Sequence, residues 1–180
     1  MLQKAQLMDE AALNRALKRI SHEICEKNRG VENVVLIGIL RRGNTIAQII
    51  ENNIRGIENT AVPCGSMDIC GFRDDLVADP SEPVSCSVQL PFDVKDKDVI
   101  LVDDVLCSGR TVRAAIEAVF RCGRPRTIQL AVLIDRGHRE LPFRADYVGK
   151  NIPTSRSERI EVRLPDYDGE TGVYLMDMEK

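Results

Sequence analysis

The sequence predicts an α/β fold: a parallel sheet flanked by helices, with a loop or hairpin insertion and a small C-terminal hood. Three observations predict it. Apolar runs of strand length alternate with amphipathic stretches of helical period. The runs at 34–40, 99–102 and 127–134 are nearly continuous, as strands buried on both faces require. Two of them end in tight turns that open helices. At 180 residues, 43% hydrophobic and 29% charged, the chain fits one domain, 1–180, with a full core.

The elements follow in order. Residues 9–29 form a helix, with Leu13, Leu17, Ile20 and Ile24 at helical spacing, Asp9 as cap and Gly30 as stop. Residues 34–40 form a strand, 44–54 a helix carrying Ile46, Ile49 and Ile50, and 61–70 another strand. Regularity lapses over 71–97, which holds three prolines, many charges and one short strand candidate at 84–90. Such a stretch inside a compact domain marks a functional loop or a mobile hairpin. A strand at 99–102, a helix from Thr111 to about Cys122, a strand at 127–134 and a shorter one at 145–148 complete the sheet. Segments 159–164 and 172–176 pair across a turn at 166–169 as the hood.

Composition narrows the function classes. A net charge of −3 leaves no global electropositive field, so any nucleic-acid surface is a local patch. No apolar run approaches 18 residues and the N-terminus lacks a signal-peptide core, so a cytoplasmic protein without membrane partners is expected. Six cysteines include no C-x-x-C pair, and His22 and His138 are the only imidazoles, which argues against structural zinc. Cys25 and Cys122 read as packing residues.

The stretch VILVDDVLCSGRT, 99–111, is the most informative. Asp103 and Asp104 sit where a buried strand ends, and Val105, Leu106, Cys107, Ser108, Gly109, Arg110 and Thr111 turn into a helix. Turn and helix N–H groups suit a phosphate. The two carboxylates accept from vicinal ribose hydroxyls or sit beside a divalent cation; alternatively they are plain caps of a doubly wound sheet. A second strand-turn-helix carries Arg41, Arg42 and Gly43. Its arginines match a pyrophosphate in geometry, or are simply solvated. Arg73, with Asp74 and Asp75, lies in a charged loop able to close over a sugar diphosphate, or to remain a solvated cluster. Arg136, Gly137 and His138 follow a third strand, where His138 is an acid–base group or a hydrogen-bonded surface histidine. Lys18, Arg19 and His22 share the polar side of the first helix, either a solvated face or one that contacts RNA. Arg144, Lys150, Arg156 and Arg159 add positive charge late in the chain.

The 99–111 string resembles the phosphoribosyl pyrophosphate (PRPP) signature of type I phosphoribosyltransferases. The run LAVLIDRGHRELPFRADYVGKNIPTSRSE, the opening RALKRISHEI and the RDDL loop further resemble the pyrimidine operon regulator (PyrR) family, from about Leu7 to Leu164. The resemblance implies a uracil phosphoribosyltransferase that makes UMP and pyrophosphate from uracil and PRPP with Mg²⁺. It also implies a UMP-responsive attenuator that binds pyrimidine operon mRNA, as a homodimer or larger homo-oligomer. Asp103 and Asp104 would bind the ribose hydroxyls, with Mg²⁺ carried by PRPP near them, and the 105–111 turn the 5′-phosphate. Arg41, Arg42 and Gly43 would form the pyrophosphate loop, often built on a non-proline cis peptide, and Arg73 would serve the leaving group. Arg136 and Ile160 would border the base; Lys18, Arg19 and His22 would meet RNA. An enzyme without RNA binding, or a regulator with decayed catalysis, are the alternatives. Four departures stand out: Cys107-Ser108 for Tyr-Thr, Arg41 for Thr, Lys18 for Thr, and Cys70-Gly71-Phe72 for a Thr-Leu-Tyr-like run.

Overall fold

A computed structural model describes residues 2–70 and 90–178. Five parallel strands, β2 (Val34–Ile39), β3 (Cys64–Met67), β4 (Asp98–Leu106), β5 (Thr127–Asp135) and β6 (Tyr147–Asn151), form a sheet in the order β3-β2-β4-β5-β6. Helices α1 (Glu10–Asn28) and α2 (Arg42–Glu58) cover one face. Helix α3 (Arg110–Cys122) covers the other. The expected architecture is present, and the hood is a second, antiparallel sheet. Its strands are β1 (Leu2–Asp9), β8 (Gly172–Asp177) and β7 (Glu158–Arg163), with a short helix α4 (Pro165–Asp168) between β7 and β8.

Local chemistry explains the element limits. In α1, Leu13, Leu17, Ile20 and Ile24 are fully buried, and Asp9 Oδ1 accepts the Ala12 N–H at 2.7 Å as N-cap. The helix ends on Arg29 in the left-handed region (φ 55°), one residue before the expected glycine stop; the Gly30 N–H closes on the Cys25 carbonyl at 3.0 Å. Ile160, Val162, Leu164 and Val173 of the hood join Met8, Leu13 and Leu17 in the same apolar cluster as α2, so the hood shares the core of the main sheet.

Several boundaries differ from the sequence reading. β3 is only four residues: Pro63 denies its approach a ladder donor, and the strand ends at Met67, three residues before the expected limit. Helix α2 starts at Arg42 rather than Asn44, and β6 lies two residues later than expected. β1 carries no strand signal: Leu2 to Gln6 are exposed, and pairing with β8 alone makes them a strand. β4 does not stop before its acids. Asp103 pairs with Val132 and Val105 with Ile134, so both carboxylates lie inside the strand's last turn of pleat. Most of the strand candidate at 84–90, and the charged loop with Arg73, Asp74 and Asp75, lie outside the described residues.

Candidate active site

In the sheet order, β2 sends its helix and next strand, β3, to one side, whereas β4 sends α3 and β5 to the other. The carboxyl ends of β2 and β4 therefore flank a topological switch point, where open α/β sheets bind ligands. Neither helix that leaves this crevice has a hydrogen bond from the side chain of its N-cap residue, Arg41 or Gly109, and neither has an acidic residue in its first turn. Two positive helix ends thus open on one crevice.

Glycines bring the two ends together. A Cβ on Gly43 would lie 2.4 Å from the Val102 carbonyl oxygen, and one on Gly38 would lie 2.5 Å from Asn44 Cα. The start of α2 is thereby pressed onto β4 just before its acids. The intervening loop contains a cis peptide between Leu40 and Arg41. Arg41 is exposed beside it. Arg42 is half-buried, and its Nη2 donates to both Asp168 oxygens, at 2.8 and 3.1 Å.

Asp103 is buried, and burial, followed by the neighbouring Asp104 charge, pushes its carboxyl well above the usual range. Its Oδ1 accepts the Asp104 N–H at 2.9 Å, and Asp104 Oδ1 accepts the Val105 N–H at 2.8 Å. These local bonds aim the two carboxylates in fixed directions and leave Asp104 half-exposed. Such a pair accepts hydroxyl protons or a cation readily, because either relieves the crowded negative charge.

The turn after β4 is held from below by a segment whose role the sequence did not single out. Arg139 Nη1 donates to the Cys107 carbonyl (2.8 Å) and the Gly137 carbonyl (3.2 Å), Nε donates to the Phe143 carbonyl (2.9 Å), and Nη2 pairs with Asp135. The Glu140 and Leu141 N–H groups both donate to the Ser108 carbonyl at 3.0 Å. With its carbonyls tied down, the turn can present N–H groups to a ligand. Gly109 has φ 92°, and a Cβ there would meet Phe143 Cδ2 at 3.0 Å. Only glycine fits without strain. Ser108 Oγ accepts the Arg110 N–H at 3.3 Å. The one sequence signal for this support was the charge density of RGHRE after a strand end.

Other candidate residues have protein partners of their own. Arg136 donates to Thr154 Oγ1 (3.0 Å) and to the Glu158 carbonyl (2.7 Å), and His138 Nε2 lies 2.7 Å from the Thr154 carbonyl. Both fasten the β5 loop to the segment leading into the hood. The Ile160 side chain is buried in the core, so it reaches a base only through its backbone. On α1, Arg19 is not simply displayed to solvent. Its Nη2 donates to the Val148 (3.0 Å) and Gly149 (2.7 Å) carbonyls of β6, and Nη1 pairs with Glu23 at 2.5 Å. Lys18 and His22 instead line a hollow of about 450 Å³ against Asn52, Asn53, Gly56 and Ile57 of α2.

No helix among the described residues is long and apolar enough to cross a membrane. No group of three or more metal-type ligands occurs among them either.

The chain matches the phosphoribosyl transferase domain family over residues 3–167. It is 59% identical over 175 residues to the bifunctional protein PyrR of Clostridioides difficile, covering 97% of this chain and 99% of that one. The bifunctional protein PyrR of Acetivibrio thermocellus is 54% identical over 180 residues, covering 100% and 98%. A hypoxanthine phosphoribosyltransferase of Trypanosoma cruzi in a ternary substrates complex shares the fold. Its TM-score is 0.77 at 21% identity, over 98% of this chain and 97% of that one. One from Staphylococcus aureus gives a TM-score of 0.70 at 20% identity, over 96% and 91%. Switch-point crevice, matched domain and full-length relatives agree: the chain belongs to the phosphoribosyl transferase family and, within it, to the bifunctional PyrR proteins.

Proposed function

We propose that this chain transfers ribose 5-phosphate from PRPP to uracil, giving UMP and pyrophosphate, and binds pyrimidine operon mRNA in response to UMP. The observation that carries the reading is the crevice in which two helix N-termini flank Asp103 and Asp104, in a PyrR-family chain.

The 105–111 turn holds the 5′-phosphate through backbone N–H groups and the Ser108 and Thr111 hydroxyls. Asp103 and Asp104 accept from the ribose hydroxyls. Arg41, Arg42 and the start of α2 hold the pyrophosphate; Arg73, outside the described residues, is the catalytic candidate from sequence. The bond from ribose C1 to the pyrophosphate oxygen breaks, uracil N1 bonds to C1, and the N1 proton passes to the released pyrophosphate or to solvent. Positive charge growing on the ribose faces the two carboxylates, and negative charge growing on pyrophosphate faces the arginines and helix end. Magnesium bound with PRPP supplies neutralisation of phosphate charge. The donor set fits that role: two adjacent carboxylates are present, but among the described residues no three-ligand cluster would hold the ion without substrate. Arg136 and the backbone around Ile160 border the base.

The RNA surface in this reading is the α1 side with Lys18, Arg19 and His22, extended by Arg144 and Lys150. It acts in a cytoplasmic homodimer or larger homo-oligomer, with residues 1–180 working as one domain. A second reading, an enzyme without RNA binding, is favoured by one observation: the Arg19 guanidinium is spent on β6 carbonyls. One preparation assayed twice tests both. UMP formation together with UMP-strengthened retention of pyrimidine leader RNA is expected; UMP formation with no RNA retention selects the second reading.

A further inference from the structure

We propose that Asp168 is a positioning residue for pyrophosphate, acting through Arg42, and that α4 of the hood thereby sets the shape of the pyrophosphate loop. The proposal rests on the phosphoribosyltransferase reading above.

Three consecutive hood residues bond to the N-cap and first turn of α2. Tyr167 Oη donates to the Arg41 carbonyl at 3.1 Å. Arg42 Nη2 donates to the two Asp168 oxygens at 2.8 and 3.1 Å. Thr45 Oγ1 donates to Asp166 Oδ2 at 2.8 Å. These residues are more than 120 positions apart in the chain, so the contact is made by the fold and not by local sequence.

Asp168 is itself fixed. Its Oδ2 accepts the Leu164 N–H at 2.9 Å, and only 19% of its side chain is exposed. Burial works against the carboxylate, but the Leu164 N–H and the Arg42 guanidinium outweigh it and hold the carboxyl below its usual range. Arg42 in turn is held at Nη2, while its buried Nε has no hydrogen-bond partner among the described residues. The Asp168 carboxylate fixes the orientation of this guanidinium at the start of α2. The guanidinium is a charge held in place for an anion.

The arrangement separates two halves of the substrate. The 5′-phosphate turn is braced by Arg139 and the β5 loop, with no member of α4 among those bonds. The arginine loop is braced by α4. Loosening α4 therefore disturbs pyrophosphate and PRPP, but not UMP, which has no pyrophosphate.

The full-length protein with Asp168→Asn, Asp168→Glu or Tyr167→Phe tests this. The readouts are KM for PRPP, kcat, and dissociation constants for magnesium pyrophosphate and UMP. Asp168→Asn is expected to raise KM for PRPP and weaken pyrophosphate by about tenfold, the scale of one oriented charge-assisted bond. UMP affinity stays within about twofold, Asp168→Glu recovers part of the loss, and Tyr167→Phe shifts the same constants by less. Equal losses for UMP and pyrophosphate, or no change in either, overturn the proposal. If Asp168→Asn does not fold, Tyr167→Phe decides by the same split. A wild-type protein that neither turns over PRPP nor binds pyrophosphate overturns the underlying reading. Wild-type turnover with an unaltered Asp168→Asn profile overturns only the role of Asp168.

Discussion

Gly43 and Val102 are in direct backbone contact: a Cβ on Gly43 would stand 2.4 Å from the Val102 oxygen. Helix α2 thus lands on β4 one residue before Asp103, and a missing side chain holds the arginine loop beside the paired acids. The site is a product of close packing before it is a product of charge.

Gly43→Ala should therefore damage the site more than its size suggests. Forcing a methyl into this contact costs about 1–3 kcal/mol, and the loop must lift off β4 to relieve it. The expected result is a lower melting temperature together with a raised KM for PRPP. Thermal melting and steady-state kinetics on one preparation check both.

Gly109→Ala tests the phosphate turn. The positive φ and the contact with Phe143 together cost about 1–3 kcal/mol. UMP affinity should fall, because the turn's N–H groups are re-aimed, while magnesium pyrophosphate affinity should hold. Titration calorimetry with each ligand separates these.

Asp104→Asn should lower PRPP use strongly, by two orders of magnitude or about 2.7 kcal/mol, with little effect on stability, since Asp104 is half-exposed. Normal saturation kinetics in this variant would remove the ribose assignment.

On α1, the geometry separates two basic residues. Arg19→Ala gives up two bonds to β6 carbonyls and should cost about 1 kcal/mol of stability. Lys18→Ala should leave melting unchanged and reduce the salt dependence of RNA binding by about one unit of slope. An unchanged slope for Lys18→Ala identifies this face as solvated only.

Arg126→Ala should produce a pH-dependent loss of stability. Hydrogen bonding from Arg126, then from Thr127, lowers the buried Asp98 carboxyl against its desolvation. The folded value lies below the unfolded one, so this stabilisation is present above the unfolded value and is lost as pH falls through the folded one. At neutral pH the variant should be less stable than wild type. The gap to wild type should close below about pH 4. Denaturant melts across pH check it.

The main sheet and its ligand edge were legible because two-sided burial writes itself as apolar runs, and because the acid pair, small turn and Thr111 lie within one short string. Arg42 is a candidate in the sequence, but its partner is not visible there: Asp168 stands 126 residues away. Arg139 looked like one charge among several, since nothing in sequence distinguishes a guanidinium that ties three carbonyls from one in water. β1 was invisible for a related reason, as its strand character comes from β8 and not from its own exposed residues. Arg19 shows the same limit: its helical spacing places it on the polar side of α1, and the fold there supplies two backbone acceptors. Pattern reveals what is buried by periodicity; it does not reveal which polar groups find each other across the fold.

The most direct test is UMP formation from uracil and PRPP with Mg²⁺, with hypoxanthine, guanine and orotate assayed in parallel. Turnover with uracil is expected, and none comparable with the other bases. Turnover with a purine or orotate in preference to uracil, or with no base at all in protein that still binds UMP, would contradict it.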